Sequence, residues 1–500
     1  MNNTQYVDMD NLTEEQFQHY YKHSADIIIF AKHYKSRQFT SPNYLHEPVK
    51  IIFVLSEVFI QNNTLKETVL PSISNVFEDT GFRSAGQMEY SPMISWFKVG
   101  TAERPIAVSK MSSLLFEGNV LCAIPHLKLI MSINIADIPT RTPEESASEI
   151  TIRGPKDGLV EDIGTNIALL RKRIRSEHLY VESYSIGTLT NTKMALLYME
   201  DIANDQMIAT VKGRIDNIDT EQLVTIGQLE EMIGDKTYLF PTVDYSARPD
   251  FIVECLLNGR FVIILDNNPM VIIAPGNVFQ LLKSPEDNYF PLLASNISRL
   301  FRLFALITSI FIPGFYIAIT TFHPDQLPFT MLATISISRM GIPMEASIEM
   351  FLIMTFMEMF REASIRMPGS MSHTITVVGG LIIGEAAIRA GLVSPIIVVV
   401  AAISIITGAI LVNQSLANSV VFYRFLAFVL SSFLGIYGFI TAYIIFILFL
   451  SRLQSFGVPY LAPLSPLNLR GFLISIFQTP LRFREKRPAY LHTKKTKKDE

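Results

Sequence analysis

The run VFYRFLAFVLSSFLGIYGFITAYIIFILFL, residues 421–450, decides the architecture of this chain. It holds 30 residues and a single charge, Arg424. A bilayer crossing needs roughly 20 apolar residues, so the run is longer than one span requires. Gly435 and Gly438 are placed to bend it.

Working outward toward the N-terminus, Ile396–Val412 and Leu303–Thr321 are further uncharged runs of spanning length. Thr374–Val393 is another, interrupted only by Glu385 and Arg389. Met344–Met367 is apolar and helical in pattern, yet it carries Glu345, Glu349, Glu358, Arg361, Glu362 and Arg366. Between about 300 and 460 there are 13 charged residues and no lysine. These observations predict an all-α, multi-span membrane domain over 295–455 with four to six spans.

The preceding half reads differently, with ordinary charge and short apolar runs bounded by turn residues. It is expected to be an α/β soluble half. A polar N-terminal segment covers 1–45, a first α/β subdomain 46–140 and a second 141–290, with a Pro/Thr/Glu/Ser-rich linker at 139–147. LFEGNVLCAI (115–124) and LLNGRFVIIL (256–265) each read as helix end, glycine cap and strand, followed by a tight turn and a second strand. Their glycines, Gly118 and Gly259, are 141 residues apart. That interval implies two similar subdomains. Helices are expected within Leu159–Arg175, Thr220–Ile233 and Asp244–Leu257.

Composition bounds the function. The net charge of −4 argues against nucleic acid as a partner. The last stretch is locally basic (Arg482, Arg484, Lys486, Arg487, Lys494, Lys495, Lys497, Lys498). It reads as a cytoplasmic tail over 456–500, anchored on the positive-inside side. Arg299 and Arg302 flank the first span in the same sense, so both ends are expected in the cytoplasm and an even number of spans is favoured. The start shows no basic segment followed by an apolar run, so no signal peptide is expected. Cys122 and Cys255 lack metal-ligand spacing and read as buried thiols. No phosphate-binding glycine loop, zinc-spaced histidine pair or local nucleophile signature is present. A catalytic role, a cofactor and a resident metal are therefore not expected.

Four stretches carry chemistry, each with a plain structural account beside it. RGPKDGLVEDIGTNIALLRKRI (153–174) places acids at the start of a helix and bases at its end, which suits the helix dipole; it would also serve as a surface for a neighbouring subunit. Asp266-Asn267-Asn268-Pro269 is turn chemistry or a ligand contact. On the charged helix, Thr355, Glu358, Glu362 and Arg366 fall within about 80° of one another. They line an ion path or subunit contact, or else lie solvated at the interface, and Arg361 is placed to neutralise Glu358. Finally, Gly380, Gly384, Ala387 and Gly391 form a small-residue stripe for close helix packing. Glu385 and Arg389, one turn apart, form a candidate intramembrane pair.

Taken in order, several runs resemble the A subunit of GerA-type nutrient receptors of bacterial endospores. They are Arg153–Ile174, RPD (248–250), NGR (258–260), SPEDNY (284–289), MEMFREASIRMP (357–368), Val378–Pro395 and SFGVPY (455–460). The chain departs from that pattern at Ser246-Ala247, Asn288 and Glu385. The resemblance implies a multi-pass receptor subunit in the inner membrane of the spore. Its implied partners are a transporter-like B subunit and a lipoprotein C subunit. Nutrient sensing would be coupled to ion release, with the A subunit assembling as a homo-oligomer that forms or gates a channel in membrane lipid. A secondary solute transporter and a scaffold for B and C are the competing readings. The repeat lies in the soluble half rather than the membrane half, which disfavours the transporter.

Overall fold

The two segments that repeat at an interval of 141 residues occupy the same place in two sheets of one topology. The structure, a computed structural model, describes residues 6–35, 48–60, 62–80, 82, 96–136, 149, 152–235, 239–365, 384–480 and 486–496. The first sheet has strands β1 (Ile27–Tyr34), β2 (Val49–Ser56), β3 (Trp96–Thr101), β4 (Asn119–Ile124) and β5 (Leu129–Asn134), in the order β1-β2-β4-β5-β3. The second has β6 (Leu179–Ile186), β7 (Thr192–Met199), β8 (Asp244–Ser246), β9 (Phe261–Leu265) and β10 (Val271–Ala274), in the order β6-β7-β9-β10-β8. Shifting every label by five converts one order into the other. The predicted α/β half with two similar subdomains is therefore what the chain folds into.

Local chemistry explains the hairpins at the centre of each sheet. Gly118 and Gly259 take φ of 85° and 94°, a region open to glycine, and each delivers the chain from a helix into a strand. Strands β4 and β9 are buried along their whole length, which is why they read as continuous apolar runs. In β2, Ile51, Phe53 and Leu55 face one cluster that includes Val69, Ile73 and Phe77, while Ile52 and Val54 face another that includes Met111, Leu115 and Phe17. The period of two thus feeds two helical layers, one on each side of the sheet.

Some expected boundaries shift. The first sheet starts at Ile27, inside the stretch read as a polar N-terminal segment. The three expected helices are Ile163–Arg173, Ile226–Ile233 and Pro249–Leu257, each shorter than its sequence window. Asp162 caps the first by accepting from the Thr165 amide at 2.6 Å. Asp205–Asp216 is a helix that sequence reading missed, although Met207, Ile208, Val211 and Ile215 mark its buried face. Cys122 and Cys255 are buried thiols. The linker at 139–147 lies outside the described residues.

Clustering divides the chain into two units. The first is Met1–Gly234, Tyr245–Pro275 and Glu485–Glu500; the second is Asp235–Asp244 and Gly276–Arg484. Within the first unit the sheets are locked together by Arg171, which is 0% exposed. Its Nε and Nη2 donate to the two carboxylate oxygens of Asp26 at 3.2 and 3.3 Å, and Nη1 donates to the Ser176 carbonyl at 3.0 Å. The guanidinium lies over the Phe116 ring, 4.3 Å from its centre. Beside it, residues 23–25 pair in parallel with β6 through Val181.

The second unit is helical. It contains Leu292–Ile317 with a π turn to Phe322, Phe329–Ser338, the charged helix Ala346–Ile365, Pro395–Ala409 and the long stretch Gln414–Arg452. Two stretches, Leu292–Phe322 and Gln414–Arg452, are long and apolar enough to cross a membrane. Pro395–Ala409 is apolar but has 15 residues, fewer than a crossing needs. The expected span Thr374–Val393 lies largely outside the described residues.

The longest stretch is not one rod. Gly435 has φ 59° and ψ −134°, outside the helical region. The ring of Tyr423 lies 5.3 Å from that of Phe446 and 5.7 Å from that of Phe449. A straight helix would hold residues 423 and 446 about 34 Å apart. The chain therefore folds back at Gly435 into a hairpin with arms 414–434 and 436–452. A Cβ on Gly438 would lie 1.9 Å from the Leu430 carbonyl oxygen, so the crossing of the arms admits only glycine there.

Candidate functional site

Inside this apolar unit the charged helix presents two opposed acidic positions. Glu349, 0% exposed, accepts from the Ser394 amide at 2.8 Å at the start of the helix Pro395–Ala409. Arg339 donates to its other oxygen, Nε at 3.3 Å. Nine residues further on, half a turn around the helix, Glu358 meets two arginines. Arg361, one turn along, donates Nε to Glu358 Oε1 at 2.6 Å. Arg424 Nη1, from the first arm of the hairpin, stands 3.8 Å from Glu358 Oε2.

Arg424 is 4% exposed, and neutral oxygens hold it. Its Nε donates to the Ser309 carbonyl at 2.9 Å, and Nη2 donates to Ser309 Oγ at 2.6 Å and to the Ser404 carbonyl at 3.3 Å. Covalent structure explains the first contact. Residue 313, four positions after Ser309, is proline, which has no N–H to donate. The Ser309 carbonyl is thus denied its helical partner, and Arg424 Nε and Ser404 Oγ (2.7 Å) take that role. Gly408 clears the approach, because a Cβ there would meet Arg424 Nη2 at 2.8 Å. Arg361 extends the network by donating Nη2 to Asn418 Oδ1 at 3.3 Å. Glu358 Oε2 and Thr355 Oγ1 are buried and accept or donate no hydrogen bond among the described residues.

The sequence-predicted residues divide accordingly. Thr355 and Glu358 lie at this cluster. Glu362 is exposed one turn on, and Arg366 lies outside the described residues. Arg361 does sit on Glu358, the neutralising alternative. Glu385 and Arg389 do pair, Nη2 to Oε1 at 2.6 Å, but their side chains are 56% and 78% exposed on this chain. Of the packing stripe, Gly384 and Ala387 are buried, with Val398 3.8 Å from a Cβ built on Gly384. Gly380 lies outside the described residues. Gly391 is a correction: it has φ 67° with nothing within 4 Å of a built Cβ, and it ends the helical turn at 384–389 instead of packing against a neighbour. Ser309, Ser404 and Asn418 were missed. Pro313 inside an apolar span was the available signal for an orphaned carbonyl at Ser309.

At the entrance to the first long helix, Asp287 accepts from Arg299 Nε at 2.9 Å and from Arg302 Nη1 and Nη2 at 2.9 and 2.8 Å. Burial pushes its carboxyl up, but the Arg302 hydrogen bonds and both positive charges outweigh this and hold it below the usual carboxylate range. The two arginines read as a topogenic flank thus share one carboxylate. Among the described residues no group of three His, Cys, Asp or Glu side chains is arranged to hold a metal.

Tandem sheets of one topology, joined to an apolar helical unit that buries ion pairs, define a class of protein with a soluble part and membrane-length helices. The chain belongs to the GerA family: a family model described as "Bacillus/Clostridium GerA spore germination protein" matches residues 15–490. Spore germination protein XA of Bacillus anthracis is 41% identical over 445 residues, 89% of this chain and 90% of that protein. Spore germination protein KA of Bacillus subtilis (strain 168) is 31% identical, covering 93% and 83%. From the same organism, the uncharacterized membrane protein YfkQ is 37% identical, covering 72% and 70%. The crystal structure of the N-terminal domain of the A subunit of the Bacillus megaterium spore germinant receptor GerK3 aligns with a TM-score of 0.40 at 23% identity, over 54% of this chain and 97% of that one.

Proposed function

We propose that the chain is the A subunit of a nutrient germinant receptor in the spore inner membrane, and that it couples nutrient sensing to ion release by forming or gating an ion path. In this reading it works with a transporter-like B subunit and a lipoprotein C subunit and assembles as a homo-oligomer. The helical unit crosses the membrane several times, with the sheet unit and the tail on the cytoplasmic side. It is not an enzyme. One observation carries the proposal. Glu358 is buried in an apolar helical unit with one oxygen paired to Arg361 and the other held by no hydrogen bond, facing Arg424 at 3.8 Å. Ionisable groups at membrane depth are costly and mark ion routes. A carboxylate shared between two arginines exchanges partners readily, and repeated around an oligomer it attracts cations.

The Arg361 pair favours a second reading, a scaffold in which Glu358 is merely neutralised. Glu358→Gln separates the two. The first reading expects normal abundance and assembly, with altered or reduced ion flux from proteoliposomes. Lower abundance with normal flux from the surviving complexes supports the scaffold.

A further inference from the structure

By composition the basic stretch near the C-terminus reads as a lipid-facing anchor. In the structure, residues 486–496 instead lie on the second sheet's subdomain. Lys494 donates its amide to the Ile202 carbonyl at 3.0 Å, and Arg487 Nε donates to the Leu257 carbonyl at 3.0 Å. Asn204 Nδ2 donates to the His492 carbonyl at 3.1 Å. Leu491 is the one side chain of this segment that is buried, at 1% exposed. Charge does the rest. Lys494 pairs with Glu200 at 3.2 Å and Asp205 at 2.8 Å, and Lys495 pairs with Asp201 at 2.8 Å.

The strength of this seat is set by its composition. A single buried leucine gives little apolar hold. The ion pairs are partly open to water, with Lys494 32%, Lys495 37% and Asp205 81% exposed. Pairs of that kind hold weakly and are screened by salt. The seat also closes a connection. The helical unit ends at Arg484, and residues from Glu485 onward belong to the sheet unit. We propose that residues 486–496 form a releasable latch, seated on the acidic 200–205 turn of the second subdomain by charge, which opens as ionic strength rises.

Hydrogen exchange on the full chain in detergent tests this, because exchange reads local opening directly. The peptide covering 487–496 is followed at low salt and at about 1 M salt, where the screening length falls from roughly 10 Å or more to about 3 Å. Its exchange should accelerate roughly tenfold, the loss expected when three exposed pairs are screened together, while β9 in the same unit stays protected. Lys494→Glu with Lys495→Glu should give the fast rate already at low salt. Adding Glu200→Lys and Asp201→Lys should restore the slow, salt-sensitive rate. A tail rate independent of salt overturns the latch. So does failure of the fourfold charge reversal to restore protection while β9 remains protected, since that leaves the seating to the backbone and Leu491 alone.

Discussion

Two buried arginines, one in each unit, are held in opposite ways. Arg171 commits its guanidinium to a carboxylate: both Asp26 oxygens lie within 3.3 Å, and carbonyl and hydroxyl oxygens and an aromatic face complete the shell. Arg424 gives its guanidinium to neutral oxygens of Ser309 and Ser404 and keeps its carboxylate, Glu358, at 3.8 Å. That carboxylate is bound to a second arginine. The first arrangement is closed, because every change of partner strands a charge. The second is open, because dipoles hold the cation while the anion has a choice of partners. A lock between two sheets needs the first kind of site, and a site that responds needs the second.

The comparison fails most visibly if Arg171 proves expendable. Arg171→Ala leaves the Asp26 carboxylate buried and unpaired, at an expected cost of roughly 3–5 kcal/mol. Chain abundance and the melting temperature of the purified protein should both fall. Arg171→Leu combined with Asp26→Leu should recover much of that loss. A double variant as unstable as the single one would show that Arg171 acts through Phe116 and Ser176 rather than through the ion pair.

A smaller effect is expected at the open site. Gly408→Ala places a methyl 2.8 Å from Arg424 Nη2 and 2.9 Å from Ser309 Oγ. Displacing the guanidinium should cost about 1–3 kcal/mol, the range for overpacking. Because Glu358 keeps Arg361, the loss should stay below that of Arg171→Ala in the same melting assay. An equal loss would make Arg424 as closed as Arg171.

The smallest effect separates water from lipid at Glu385 and Arg389. Exposed to water, a helical pair one turn apart is worth about 0.3–0.5 kcal/mol. Glu385→Gln, Arg389→Gln and the double variant should then be near additive in abundance. A double variant much milder than the sum of the singles would place the pair in lipid or against another subunit, where a stranded charge is costly.

Much of the soluble half was legible because its signals are local. Gly118 and Gly259 each mark the turn from a helix into a strand, and the run behind each is too apolar for an edge. β1 was not legible, since an edge strand with half-exposed residues resembles any polar stretch. In the helical unit, Arg361 was legible as a partner of Glu358 from its spacing of three. Arg424 was visible as the one charge in its run, but its company was not. Ser309, Ser404 and Glu358 come from three other helices, and only packing brings them together. Gly391 misled because a small residue at helical spacing looks the same whether it packs a helix or ends one.

The fold at Gly435 has a consequence for counting. Hydropathy treats residues 421–450 as one object and so adds one crossing to any tally of the chain. The backbone treats them as an out-and-back pair: 414 and 452 emerge on the same side, whichever side that is, because the arms run antiparallel. The stretch therefore contributes an even number of crossings, and it leaves the sidedness of everything after it the same as that of everything before it. A reporter fused after 452 should read the same compartment as one inserted before 414.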